Sequence, residues 1–558
     1  MVLIAPQRWL GGQLSSQGVS ALDEHQFIET FGGSPLYLRL RQLIRQRMAS
    51  LYGITITDEA NFNPGNAWVS NLCFFPGVAA DALQELIAPF VACGQLTVYY
   101  ESVPIHVEKS AYTITSITCR TILQQQFTIQ PTQVIDASEH GDLLALANLQ
   151  YVTGAESKLD TDEHTAPLQA RPHEIQGFTY GFAVEFCPYE SHVIVKPEGY
   201  AALRDRQPFT LTLTGNDGEA RPFRMFEDGP TGLPPFWTYR RLWDGQHTTP
   251  TTPDIALINW NSNDYHHGTI IDVDAQTYAQ RIDEAKRLSL AFLYWLQTEV
   301  PRDDGTGFGY PELKLRPDIM GTNDGLSMAP YIRESRRTPG LRRIVAEDLL
   351  VTSQPLARAK VYPDSVGIGW YFMDLHPAPG NPTSMFAPTR PFQIPMGALI
   401  PPDCHNLVLS CKNIATTHLS NGSYRLHPVE WNIGVAAGLI AHVACRQHVT
   451  PADVSVSFVQ KKLLALGHPV AWAIDVPPHH PAFMATQWLI LNGVIGQGER
   501  AQRLEIALTE PLAADSYAAL MNCLVAHGVP HSAVQITQTD SWESVCAQIV
   551  VLGLVDAD

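Results

Sequence analysis

Val2-Leu-Ile-Ala-Pro-Gln-Arg-Trp-Leu-Gly-Gly-Gln-Leu-Ser-Ser-Gln-Gly18 is the stretch on which the reading of the fold turns. It has the pattern of a buried strand that ends in a proline turn and opens into a glycine-rich loop. Gly11, Gly12 and Gly18 let the backbone come close to another group, and Gln13, Ser15 and Ser16 offer small polar contacts there.

Working outward, 558 residues bury a large core and call for more than one domain. A net charge of −18 argues against a nucleic-acid-binding surface or a polybasic membrane patch. Nine cysteines, an odd number with no C-x-x-C pair, do not make a disulfide framework and read as buried thiols. With no signal pattern and no run of about 18 apolar residues, the expectation is a soluble, cytoplasmic protein without a transmembrane segment. The sequence does not set an oligomeric state. The adjacent histidines 266–267 and 479–480 lack metal-ligand spacing, so no metal is expected.

Along the chain, Ser34 caps a predicted helix that starts at Pro35, with Leu36, Leu40, Leu43 and Ile44 as its buried stripe. Arg39, Arg41, Arg45 and Arg47 between them read as a solvated face or a phosphate site. A second helix is predicted over about 78–93, packing through Leu83, Leu86, Ile87 and Phe90. Alternation over 96–100, 103–107, 112–119 and 127–129 predicts a β-meander. In Gln133-Val-Ile-Asp-Ala-Ser-Glu-His-Gly-Asp142 a short strand ends at Asp136-Ala137-Ser138, and a helix starts at Asp142. Ligands collect at the carboxyl ends of such strands.

Residues 156–394 change to proline-rich loops with scattered strands and one long helix over about 277–297. Within them, Tyr331-Ile-Arg-Glu-Ser-Arg-Arg337 places three guanidiniums around one carboxylate, suited to binding carboxylates, phosphates or hydroxyls. Further on, Gly367-Ile-Gly-Trp-Tyr-Phe-Met-Asp-Leu-His376 reads as a strand. It offers Tyr371, Asp374 and His376 for proton transfer, although a histidine beside Pro377 also suits a structural role.

These motifs in this order resemble FAD-dependent oxidoreductases of the glutathione-reductase-like superfamily, in the branch with xanthan-lyase-related and heterodisulfide-reductase-like proteins. Trp9 to Glu24 is similar to the segment after that family's second strand, and 133–142 to its D-A-T/S-x-x-G-D motif. The R-E-S-R-R run resembles a hallmark of the branch. Phe392 to Arg446 resembles its second flavin-binding segment, a strand, a loop and a helix whose N-terminus points at the flavin. A strand, a G-x-G-x-x-G turn and a helix precede Trp9 in the family. The resemblance therefore implies an α/β fold: an N-terminally truncated, Rossmann-like FAD/NAD(P)-binding domain (1–155 and 395–450). An α+β substrate domain (156–394) is inserted in it, and a helical C-terminal segment (451–558), weakly similar to S-layer-homology modules, follows. The absent first strand would leave an unpaired edge.

The resemblance also implies site residues. FAD would meet Arg8, Gly11, Gly12, Gln13, Ser15, Ser16 and Gly18 from the first loop, and Val107 from the meander. Asp136, Ala137, Ser138 and Asp142 would add the second strand end. Lys412, Asn413, Arg425, Gly434, Ala436 and Ala437 would complete the contacts from the last segment. Arg333, Glu334, Arg336 and His376 would act on a polar small-molecule substrate during hydride transfer. The chain departs from the family at Cys411-Lys412, where Gly-Arg is usual, and at Ala5, where an acidic residue commonly holds the ribose. Two further readings stand beside this one. They are a non-catalytic remnant, and an envelope or glycan-binding protein using its C-terminal module and the aromatic-rich loops of Trp237, Trp243 and Trp260.

Overall fold

Ser34 and Pro35 open the first long helix, Pro35–Leu51, as the sequence demands: the Ser34 hydroxyl accepts from the Tyr37 amide, and the proline sits in the first turn. Its buried stripe is Leu40, Leu43, Ile44 and Met48, while Leu36 is exposed. Two of its arginines are neither solvated nor free for phosphate. Arg41 pairs with Glu24 and Glu29, and Arg45 with Glu29 at 2.5 Å, because a guanidinium inside the protein needs a carboxylate partner. The next helix, Pro76–Ala92, turns its small side inward: Val78, Ala79 and Ala82 are buried, whereas Phe90 is exposed. This computed structural model describes residues 1–215, 218–351, 358–495 and 503–555.

Parallel pairing among the described strands occurs in two places. Val2–Ile4 pairs with Thr97–Tyr99, and Leu407–Leu409 with Val134–Asp136. These are separate two-stranded sheets rather than one continuous Rossmann-like sheet, since no described strand bridges them. The 97–99 strand thus leaves the expected meander, which is the antiparallel set Ser102–Ser110, Thr113–Thr121 and Gln126–Ile129.

A four-stranded antiparallel sheet forms between residues 182 and 315, in the order Arg241–Trp243, Ile255–Ile258, Phe182–Phe186, Leu313–Leu315. The Ala275–Thr298 helix packs on this region through Ala285, Leu288, Ala291 and Phe292, giving it its own hydrophobic core. Trp237, Trp243 and Trp260 all lie in the interior, Trp243 stacking on Tyr52. They offer no exposed aromatic platform of the kind a glycan surface uses, which removes the support for that reading.

The largest core joins the meander, the strands at 365–369, 392–395 and 407–409, and the His427–Gln447 helix. It continues without a break into the C-terminal helices through Val459, Leu463, Trp472, Leu489, Leu520 and Trp542. That region is therefore a packed part of the body; Gly496, which ends its S-layer-like stretch, lies outside the described residues. His427–Gln447 is long and apolar enough to cross a membrane by length and composition, but its packed face fills this core.

A fully buried ionic cluster ties segments distant in sequence. Arg337 pairs with Glu334 and, at 2.9 Å, with Glu156, while His418 Nδ1 lies 3.0 Å from Glu334. The Gln176 amide donates to Glu334, and the Arg337 Nε to the Thr416 carbonyl. Burial works to raise the Glu334 carboxyl, yet His418 and Arg337 bring it down to about 2.

Two predictions follow from this packing. A Cβ on Gly65 would lie 1.6 Å from the Arg241 carbonyl oxygen. The carbonyl is backbone and cannot swing aside as a flexible side chain would, so G65A should cost at least about 3 kcal/mol, read as a clear drop in thermal midpoint or as insolubility. Glu334 has a folded value below its usual 4.5, so its stabilising contribution is present above pH 4.5 and lost as pH falls from 4.5 towards 2. E334Q should flatten that acid limb of the midpoint-against-pH curve and destabilise the protein at neutral pH by about 3–5 kcal/mol.

Candidate functional site

The glycine-rich loop through Gln13, the turn after Val134–Asp136 through Glu139, and the first turn of His427–Gln447 through Glu430 meet in one polar region around Lys412. Asp136 stays inside because its carboxylate caps the next turn: it accepts from the Ser138 amide at 2.9 Å and the Leu143 amide at 3.2 Å. Ser138 caps Asp142 in the same way, and Asn413 donates to the Asp136 carbonyl at 3.1 Å. Burial raises the Asp136 carboxyl to about 6. The polar atoms of Asp136 and Ser138 thus shape the turn into the Asp142–Leu146 helix.

The glycine-rich loop lies against this turn. Gly11 has φ 114° and Gly18 φ 71°, backbone that favours glycine, and a Cβ on Gly18 would meet Met320 and Ser327. Ser15 and Ser16 turn back on the loop, donating to the Leu10 and Gly12 carbonyls. Gln13 reaches out: its amide nitrogen donates to the Arg425 carbonyl at 2.9 Å and to Glu430 at 2.8 Å, and its amide oxygen is buried without a partner.

Lys412 stands next to it, fully buried, 2.6 Å from Glu139 and 2.9 Å from Glu430. Burial lifts the Glu430 carboxyl against the pull of Lys412, to about 7. The neighbouring Cys411 thiol is pushed well up, by burial first and Glu430 second. Ala436 and Ala437 pack in the core, but a Cβ on Gly434 would meet only Ser410 at 3.7 Å, and one on Gly438 nothing. Close helix packing therefore rests on the alanines rather than the glycines. Val107 is a core side chain of the meander. Arg8 is exposed, donates to the Gly321 carbonyl, and borders two clefts, of about 190 and 360 Å³.

Arg425 carries the polar region towards Asp264, which pairs with the Phe178–Thr179 strand. It donates to the Tyr331 hydroxyl at 2.7 Å and to the Asp374 carboxylate at 3.1 Å. Asp374 faces His376 Nε2 at 3.3 Å, and His376 Nδ1 lies 2.5 Å from Asp264. Arg333 closes the row, 3.0 Å from Asp264 and bonded also to Thr179 and the Gly177 carbonyl. Asp264 has no exposed side-chain surface, while His376 keeps 17% of its own. Burial alone would raise both carboxyls; Arg333 and His376 hold Asp264, and His376 and Arg425 hold Asp374, well below the usual range.

The seven-residue arginine run is split by this arrangement. Arg333 serves the His376 row, Glu334 belongs to the ionic cluster with Arg337, and Arg336 turns outward to Asp272 at 2.8 Å and the His140 carbonyl. Tyr371 lies apart from His376, 3.4 Å from Asp23, which Arg240 also holds. Asp264 was not legible as a site residue: one acidic residue in a polar run carries no spacing signal. Arg425 and Asp374 were legible, but not as partners.

Comparison with known proteins gives the family. No curated protein sequence matches the chain. A solved structure of an E. coli quinol fumarate reductase FrdA variant aligns over 95% of this chain and 82% of that one, with 9% identity and a TM-score of 0.27, a similarity too low to carry an argument. The model of the family described as FAD dependent oxidoreductase matches residues 1–463, and the chain belongs to that family, with FAD as its cofactor.

Proposed function

We propose that the chain is an enzyme that transfers a hydride between a polar, hydroxylated small molecule and FAD, with His376 as the group that exchanges the substrate's proton. The carrying observation is the row Arg333–Asp264–His376–Asp374–Arg425, in which the adjoining His376 and Asp374 retain solvent access. Residues 156–394 would form the inserted substrate domain, a reading supported by their separate core. The parallel strand pairs would belong to a Rossmann-like FAD-binding part. Nine free cysteines suit a reducing compartment such as the cytoplasm.

The residues of the first polar region fit the ring end of FAD. Gln13 has a buried amide oxygen with no partner, matched to a ring N–H, and the start of the His427–Gln447 helix would supply partial positive charge for the electron-rich ring edge, beside Lys412, which Glu139 and Glu430 hold. When bound, FAD supplies a two-electron acceptor. The rest is work for this chain's side chains. Removing hydride from a C–OH carbon requires a base for the hydroxyl proton. Asp264 fixes the His376 ring through Nδ1, by the shorter contact. The longer Nε2 contact to Asp374 is the one a substrate hydroxyl can replace, because Arg425 still holds Asp374; the ring acts as base in the form that keeps its one proton on Nδ1, towards Asp264, and leaves the Nε2 lone pair to take the hydroxyl proton. Arg333 and Arg425 have their terminal nitrogens engaged, so they position the two carboxylates rather than touch the substrate.

Two experiments test this reading. Purified with excess FAD, the protein should be yellow. Q13A should retain flavin about tenfold more weakly by fluorescence titration, as expected for losing about one hydrogen bond. Once a screen of hydroxy acids and polyols finds a reductant for the flavin, H376Q should keep its flavin absorbance but slow flavin reduction about 10²–10⁴-fold. Undiminished reduction by H376Q would sink the proposed role, and absence of any flavin binding would sink the enzyme reading itself.

A further inference from the structure

The turn Cys187-Pro-Tyr-Glu-Ser-His192 follows Phe182–Phe186, an inner strand of the four-stranded sheet. It gathers three side chains of different chemistry: the Cys187 sulfur, a Glu190 carboxylate oxygen and a His192 ring nitrogen lie within 4.8 Å of one another. We infer that they form a zinc site that is separate from the flavin and substrate region. Thiolate and imidazole select a borderline-soft ion, and the set leaves one position of a tetrahedron for water.

The backbone holds this arrangement firmly. The Cys187 amide donates to the Glu312 carbonyl at 2.9 Å and the His192 amide to the Pro311 carbonyl at 2.7 Å, so the same neighbouring segment anchors both ends. Gln297, buried on the Ala275–Thr298 helix, clamps the chain after His192, donating to the His192 carbonyl at 2.8 Å and accepting from the Ile194 amide at 3.0 Å. Tyr189 has φ 69°, and the Glu190 amide closes the turn onto the Cys187 carbonyl. Glu190 and His192 already face each other at 2.7 Å, and Cys187 is largely buried beside them. Ligands held in place before the ion arrives lose little freedom on binding it.

Binding requires the Cys187 S–H proton to leave for solvent while the sulfur lone pair forms the bond to zinc. A cysteine thiol is ordinarily protonated at pH 7. Zinc uptake at neutral pH should therefore release about one proton per ion.

The test uses the full-length protein, stripped with a chelator. Zinc is titrated against a colorimetric competitor, and cobalt(II) is added to a second sample. Expected are one tight equivalent of zinc, a thiolate-to-cobalt charge-transfer band with tetrahedral d–d bands, and a higher thermal midpoint with zinc. C187S and H192A, with unchanged circular dichroism, should each bind at least about a hundredfold more weakly, and C187S should lose the charge-transfer band. The inference is overturned if no stoichiometric zinc binds, or if both variants bind it as the parent does.

Discussion

Asp264 has no solvent contact, and a lone carboxylate in that position would be neutral or would unfold its surroundings. It remains charged because Arg333 stands on one side and His376 on the other. Those two residues reach it from different parts of the chain, one in the arginine run and one at the end of the Met373–Leu375 strand. The same requirement repeats at Asp374, between His376 and Arg425, and at Glu334, between Arg337 and His418. At each carboxylate at least one partner comes from far away in sequence, Arg425 at Asp374 and His418 at Glu334, so removing that partner leaves an uncompensated charge on another segment.

This compensation gives the core of the protein its specificity. The large hydrophobic body that runs from the meander into the C-terminal helices tolerates many arrangements of similar volume. The ionic rows do not, because guanidinium and carboxylate must meet with hydrogen-bonding geometry. They run between the Asp264–Tyr265 strand, which pairs with Phe178–Thr179, and the segments around 333–337, 374–376 and 416–425, and they fix how these segments meet. The region most suited to chemistry, where His376 reaches the surface, is a by-product of that same row. A histidine held between two carboxylates is oriented firmly enough to handle a proton at one nitrogen.

Local structure was read well where local chemistry decides it. Ser34 and Pro35 marked a helix start, and the 3.6-residue period marked Ala275–Thr298 and His427–Gln447 to within a few residues. The short strand ending at Asp136 was legible for the same reason. Reading faces was harder. Phe90 is exposed while alanines pack, and Arg41 and Arg45 lie inside, because which side of a helix meets the core depends on what lies opposite. The segment after Thr416 reads as a loop but forms the His418–Tyr424 helix, capped by Thr417 and seated among buried neighbours.

Composition and periodicity thus determined the class of the protein, mixed helix and strand and acidic, and the ordered motifs carried its resemblance to FAD-dependent oxidoreductases, the family whose model matches residues 1–463. They also nominated Arg333, His376, Gln13 and Lys412 one by one. Only the tertiary structure decided which of these meet. It joined Gln13 to Arg425 and Glu430, placed His376 between Asp264 and Asp374, and turned Arg336 out to Asp272. The reason is physical: a sequence fixes what each residue can bond, whereas burial, which makes an unpaired charge intolerable, is a property of the folded whole.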